Sequence, residues 1–310
     1  MKLKIIQYLI IILFSYNFNA FSNSEIFIAV TINNEIITNQ DIAKEEEYLK
    51  KLNPDLSKLE KNKINNIAKN SLINQIVKKN EVEKFFDLKK ENSLVEEVFK
   101  DLLKKLNFDN QLDFKKSLIK ENQYTIEEIK KNLKIELYWN ELIFFKYKDM
   151  IKINKDDLKK KIETKKNNFE TEFFLSEIFF NKKKNVNLND QIKLIKESIK
   201  DIGFNNTANI FSISESAKFG GKIGWVKENN LSKQISKELS KLKIGQHTAV
   251  IQVGNNYLML KIDDKKNNKI LINKKKQLQE MVNYETNRQL TQYSNIYFNK
   301  VTKKFSINEL

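Results

Sequence analysis

Apolar positions along this chain switch between two spacings. Residues 26–32 form an unbroken run of mostly β-branched and aromatic residues, which predicts a strand. Asn33-Asn34 suits a tight turn because Asn tolerates positive φ, and 35–37 reads as the returning strand. Thr38 or Asn39 then caps a helix running through Tyr48, and Pro54 after Asn53 breaks it. Over 59–86 the spacing becomes helical, with Ile64, Ile67, Leu72, Ile73, Ile76, Val77, Val82 and Phe85 as its apolar positions. Further helices are predicted over 92–106, 111–121, 125–148 and 155–167. Thr125 with Glu128 three residues on has the form of a capping box.

The next segment, 170–265, mixes the periods as a compact α/β unit does. It predicts a buried strand at 173–180, helices at 187–202 and 231–242, and a closing hairpin of 249–253 and 257–262 around Gly254. Beyond Lys266 a helix is predicted over 273–301. Met281, Leu290, Tyr293, Ile296, Tyr297 and Phe298 form its apolar face, and a terminal strand is predicted at 305–307.

Residues 210–225 stand apart. Glycine is scarce, six in 310 residues, yet Gly220, Gly221 and Gly224 fall together, with Trp225 directly after them. Such clusters mark backbone at positive φ or in close approach to another strand.

Composition narrows the function classes. A chain of this length allows about two domains. The formal net charge is +16, but Lys is spread over the whole chain, and no helix-turn-helix, zinc-finger or RNA-recognition signature accompanies it. Nucleic acid is therefore not an expected partner, while weak contact with an anionic membrane surface stays open. There is no Cys, so no disulfide framework and no Cys nucleophile. The one histidine, His247, comes after Gly245-Gln246 in a turn and reads as a surface residue. Alone it supports neither a Ser-His-Asp set nor a metal site. No Walker loop is present. No cofactor and no metal are expected. The pairs Asp156-Asp157 and Asp263-Asp264 sit among lysines and read as solvated charge.

At the N-terminus, Lys2 and Lys4 precede an apolar run over 5–14, and Ala20-Phe21-Ser22 fits a small-x-small cleavage site. That is the pattern of a secretory signal peptide over 1–22. The run is short for a membrane span of about 20 residues. The mature chain is expected to be soluble and exported to the periplasm.

The Gly220–Trp225 block and the downstream segment to residue 265 resemble the parvulin-type, PpiC-like peptidyl-prolyl isomerase domain. The opening residues 28–42 and the long helix ending before Asn154 resemble the SurA family of periplasmic chaperones. The resemblance implies a multidomain α+β fold. A mostly helical domain at 23–168 is completed by a C-terminal helix and strand at 267–310 that pack back on it, and one parvulin-like domain at 169–266 is inserted. It also implies an ATP-independent folding chaperone whose clients are unfolded outer-membrane proteins. Oligomeric state is not implied.

Parvulins resemble one another in a pair of His residues, a nearby Asp or Cys, and an apolar pocket. Here Glu177 comes after Ser176 where the first His belongs. Leu258, or Tyr257, falls at the second, and Ser214 or Glu215 at the Asp/Cys position. Pocket positions map onto Ile223, Leu231 and Ile235. Glu177 and Ser214 are thus the candidate catalytic residues. Ile223, Leu231, Ile235 and Leu258 are the candidate peptide-binding residues. Gly220, Gly221, Gly224 and Trp225 are expected to serve backbone geometry and packing. Two readings stay open: a chaperone whose isomerase site has lost its polar groups, or an active isomerase on X-Pro bonds.

Overall fold

The computed structural model describes residues 25–118, 124–163, 169–183, 186–269 and 274–310. The signal peptide expected over 1–22 lies outside them.

The chain opens with β1 (Ile28–Ile32) and β2 (Glu35–Thr38), an antiparallel hairpin turning at Asn33 with φ 49°. Thr38 caps α1 (Asn39–Leu52): its hydroxyl accepts from the Asp41 N–H while the Asp41 carboxylate accepts from the Thr38 N–H. Pro54 ends this helix, and Pro54–Lys58 forms a 3-10 turn. The helical body continues with α2 (Lys61–Val82), α3 (Leu94–Lys105), α4 (Gln111–Ser117), α5 (Ile126–Tyr147) and α6 (Lys155–Glu163). The capping box at Thr125 and Glu128 starts α5. The ends expected at 121 and 167 lie outside the described residues. Phe85 corrects the periodic reading of 59–86: α2 stops at Val82, and Phe85 sits 52% exposed beyond it.

The α/β unit starts with β3 (Phe169–Asn181). It continues with α7 (Leu188–Ile202), α8 (Phe204–Phe211), β4 (Lys222–Lys227), α9 (Lys233–Ser240), β5 (Ile251–Val253) and β6 (Asn256–Lys269). Its sheet order is β4-β3-β6-β5, all antiparallel. One face packs Phe173, Leu175, Phe179 and Leu260 against Leu239 of α9. The other packs Ile178, Phe180 and Met259 against Ile195, Phe204 and Ala208 of α7 and α8. α8 is absent from the sequence-based prediction because its Phe, Asn and Thr residues are weak helix formers; burial of Phe204, Thr207 and Ala208 holds it. β6 runs seven residues past its expected end at 262, since its Lys- and Asn-rich half shows no alternation yet pairs with the start of β3.

The last helix, α10 (Lys274–Thr302), crosses back to the helical body, and β7 (Ile307–Glu309) pairs with β1, giving the sheet order β2-β1-β7. Buried Trp139 of α5 packs against Tyr297 and Phe298 of α10, and its indole N–H donates to Ser294 at 2.8 Å. The helical body is therefore built from both ends of the chain, with the α/β unit between them in sequence.

The two bodies touch through polar groups, of which Lys78 and Asn53 are buried. Lys78 of α2 lies 2.5 Å from Glu136 of α5 and 3.2 Å from Glu215, while Lys218 lies 3.2 Å from Glu136. The Asn53 amide donates to Asn209 at 2.8 Å. Phe219 packs against the helical core, with the Lys105 ammonium 3.4 Å from its ring centre.

Candidate functional site

An open cleft of about 800 Å³ lies between the α9 face of the four-stranded sheet and helices α5 and α10. Glu177, Ser214, Ile223, Leu231, Ile235 and Leu258 all line it. β3 carries Glu177 toward the cleft and Ser176 to the opposite face, as strand alternation requires. Leu258 sits on β6, and Ile223 on β4. Leu231 and Ile235 flank the start of α9, where the Ser232 hydroxyl accepts from the Ile235 N–H and fixes the first turn.

Glu177 is the polar centre of this wall. Its Oε1 accepts from the Ser214 hydroxyl at 2.6 Å and from Ser216 at 2.9 Å. Burial raises its carboxyl above the ordinary value, and the two serine hydrogen bonds only partly offset that. No ion pair reaches Glu177 among the described residues. Protonated, such a carboxyl in an apolar wall donates to a carbonyl; ionised, it only accepts. Across the cleft, burial and the Glu177 charge raise the Tyr284 phenol.

Ser176 belongs to a second polar cluster behind the sheet. Its hydroxyl donates to Asp263 and accepts from the Asn205 amide at 3.2 Å, and Lys261 pairs with Asp263 at 2.7 Å. This cluster faces away from the cleft. Glu215 stands at the cleft rim, paired to Lys78. Tyr257, the alternative at the second His position, stacks on Phe180 on the far face. His247 is half-buried rather than a free surface residue: it forms a bridge to Lys261, and its Nδ1 lies 2.9 Å from the Thr248 carbonyl.

The glycine block shapes the strand beside Glu177. Gly221 has φ 77°, and the Glu177 N–H donates to its carbonyl at 2.8 Å. A Cβ on Gly221 would stand 2.2 Å from the Glu177 carbonyl oxygen, so only glycine fits. Gly220, at φ 69°, closes the 3-10 turn Glu215–Phe219. Gly224 also takes positive φ, with open space around it. Trp225 lies 41% exposed on the outer face of the sheet, edge-on to Phe174 and under the Lys266 ammonium. It is a surface packing residue and lines no part of the cleft.

Sequence reasoning missed the second wall. Tyr284, Arg288, Thr291 and Asn295 of α10 line the cleft, joined by Asn140 and Ile143 of α5. The signal was present as polar residues at helical spacing, on a helix whose aromatic face is the more prominent pattern. Among the described residues no group of acidic or His side chains is arranged to hold a metal, and no helix is long and apolar enough to cross a membrane.

Residues 173–264 match the family model of the PpiC-type PPIase, or rotamase, domain. That match covers the α/β unit and leaves the helical body outside it. No curated protein matches the chain. Among solved structures, the chain is similar to a PpiC-type peptidyl-prolyl cis-trans isomerase domain at 22% identity, covering 31% of this chain and 92% of that one, with a TM-score of 0.28. PrsA from Bacillus subtilis is similar at 20% identity, over 88% of this chain and 90% of that one, with a TM-score of 0.28. A third similarity is to the structure reported for PEB4 and Cj1289, described as two SurA-like chaperones of Campylobacter jejuni. It stands at 21% identity, covers 91% of this chain and 98% of that one, and has a TM-score of 0.33.

Proposed function

We propose that this protein is an exported folding chaperone that holds unfolded polypeptide in the cleft between its α/β unit and its helical body. The observation that carries this reading is the cleft itself: about 800 Å³, open, and walled by Leu175, Phe179, Ile223, Leu231, Ile235 and Leu258 around the Glu177 carboxyl. That volume takes a few side chains of an extended segment, which suits weak and reversible capture. The PpiC-type match over 173–264 supports peptide as the ligand class. Unfolded outer-membrane proteins are the proposed clients and the periplasm the proposed compartment, on the resemblance of the N-terminal region. Capture and release need no nucleotide, because binding and letting go both run on modest contact energy.

The test is aggregation of an unfolded outer-membrane barrel protein, monitored by light scattering. Protein produced without residues 1–22 is expected to slow it at near-stoichiometric ratio, and Ile223→Ser with Ile235→Ser is expected to abolish most of that protection. No protection by the unaltered protein overturns the reading.

One observation favours a second reading, an active peptidyl-prolyl isomerase. Glu177 and two serine hydroxyls occupy the centre of an apolar pocket. A twisted imide needs a grip on the proline ring and a hydrogen bond, with no covalent step, against a barrier of about 18–20 kcal/mol. Acceleration of a proline-peptide panel that Glu177→Gln reduces would establish it.

A further inference from the structure

Glu177 carries one oxygen that the protein leaves unused. The Ser214 and Ser216 hydroxyls both donate to Oε1, at 2.6 and 2.9 Å. Among the described residues no donor reaches Oε2, and this oxygen is not one of the side-chain atoms sealed from solvent without a partner. It therefore opens to the cleft that Glu177 lines. The neighbouring strands bring no charge to it: Leu260 stands opposite Glu177 on β6, and Ile223 is the residue through which β4 meets the cleft.

The other acids lining the cleft have cationic partners. Burial pushes the Glu285 carboxyl of α10 up, but the Arg288 guanidinium at 2.6 and 2.9 Å, helped by Gln289 and by Lys161 of α6, holds it below its ordinary value. Glu215 at the rim pairs with Lys78 at 3.2 Å. Burial and the Glu177 charge push the Tyr284 phenol up, so it stays neutral. His247 packs near Phe204 on the far face of the sheet. Glu177 has no cation beside it among the described residues. Burial raises its carboxyl, and the serines offset that only in part.

An apolar segment entering the cleft meets Oε2 with its main chain. A main-chain carbonyl can only accept, so a carboxylate repels it and a carboxylic acid bonds it. The arriving segment also displaces water that would solvate the charged form. Both effects favour the protonated state, and linkage is reciprocal: a ligand that prefers the acid form binds best where that form prevails. We propose that Glu177 gates capture by its proton: having taken a proton from water, its free oxygen donates to a main-chain carbonyl of an apolar segment, and the cleft holds such segments more tightly at acidic than at neutral pH. This inference rests on the cleft being a peptide site and supplies its regulation. Affinity is full while the empty cleft keeps Glu177 protonated. It falls as pH rises through the point where the empty form loses that proton, and levels off once the bound form has lost it too.

The probe is a ten-residue peptide of Leu, Ser and Gly, blocked at both ends so that it carries no titratable group. Its binding to the full protein lacking residues 1–22 is measured by titration calorimetry from pH 4.5 to 8, in buffers of low and of high ionisation heat. Affinity is expected to fall about tenfold across that range, the scale of one lost hydrogen bond, with proton uptake on binding where the fall is steepest. Glu177→Gln, whose amide donates at every pH, is expected to abolish both the fall and the proton uptake. Ser216→Ala removes one of the bonds that favour the charged form, so it is expected to move the fall to higher pH. A merely weakened fold would not produce that displacement. Affinity that is flat or rises toward neutral pH, or a fall that survives Glu177→Gln, overturns the gate while leaving the cleft reading intact. No binding by the unaltered protein at any pH overturns both.

Discussion

Glu136 and Glu177 are the same residue type, both recessed between the two bodies of the molecule, and they are driven in opposite directions. Burial pushes both carboxyls up. At Glu136 the ammonium groups of Lys78 and Lys218 outweigh burial and pull the value down to about 2. At Glu177 only serine hydroxyls are near, and burial wins. The partner decides the outcome. Glu136 is thereby a fixed anion that ties α2, α5 and the turn before β4 together. Glu177 is an adaptable acid at the centre of a cleft. One joins the two bodies, and the other faces whatever enters between them.

The largest expected effect removes the support of Glu177 altogether. Gly221→Ala forces a Cβ to within 2.2 Å of the Glu177 carbonyl at a φ of 77°. It should destabilise the α/β unit by about 3 kcal/mol or more, the range of overpacking combined with backbone strain. Urea unfolding of a Trp139→Phe background, monitored by the fluorescence of Trp225, measures it. Next comes Glu136→Ala, which leaves Lys218 without its partner and Lys78 with only Glu215. The loss should be about 3 kcal/mol, the low end for breaking a buried pair because the Glu136 side chain keeps 24% of its exposure. Glu177→Gln should be near neutral or stabilising, within about 1 kcal/mol, since the amide oxygen still accepts from the serines and no charge is buried. Equal losses from Glu136→Ala and Glu177→Gln would dissolve the contrast.

Titration sharpens it. The folded-state value of Glu136 is depressed, so its contribution is present above the ordinary 4.5 and fades as pH falls toward about 2. The folded-state value of Glu177 is raised, so its effect runs the other way. The folded state holds that proton more tightly, and stability is lost as pH rises from 4.5 through the raised value. Urea midpoints from pH 2 to 8 should show the advantage of the unaltered protein over Glu136→Ala shrinking toward low pH. The advantage of Glu177→Gln over the unaltered protein should grow toward neutral pH. Asn209→Ala removes the 2.8 Å bond to Asn53 across the junction and should cost about 1 kcal/mol by the same urea unfolding.

Local signals were legible where neighbouring residues alone set the geometry. The Asn33 turn, the cap at Thr38, the box at Thr125 and the break at Pro54 each involve groups within four residues. The helix Phe204–Phe211 was hidden because its residues favour no regular structure until Phe204 and Ala208 are buried on the sheet. The cleft was legible only by halves. Ile223, Leu231, Ile235 and Leu258 were reached by mapping the parvulin resemblance onto the α/β unit, and all four line the cleft. Tyr284, Thr291 and Asn295 carry no mark in the sequence that ties them to residues so far upstream.

The sequence by itself determined most of the elements, the glycine positions that only glycine can fill, and the absence of a histidine pair, because these depend on residue type and short-range sterics. Tertiary structure alone decided which carboxyl became a fixed charge and which an acid in an apolar wall. It also decided that a helix from the C-terminal end would close a cleft begun by strands more than a hundred residues earlier in the case of β3. A pKa and a binding surface depend on what lies across a few ångströms of space, and chain order does not record that.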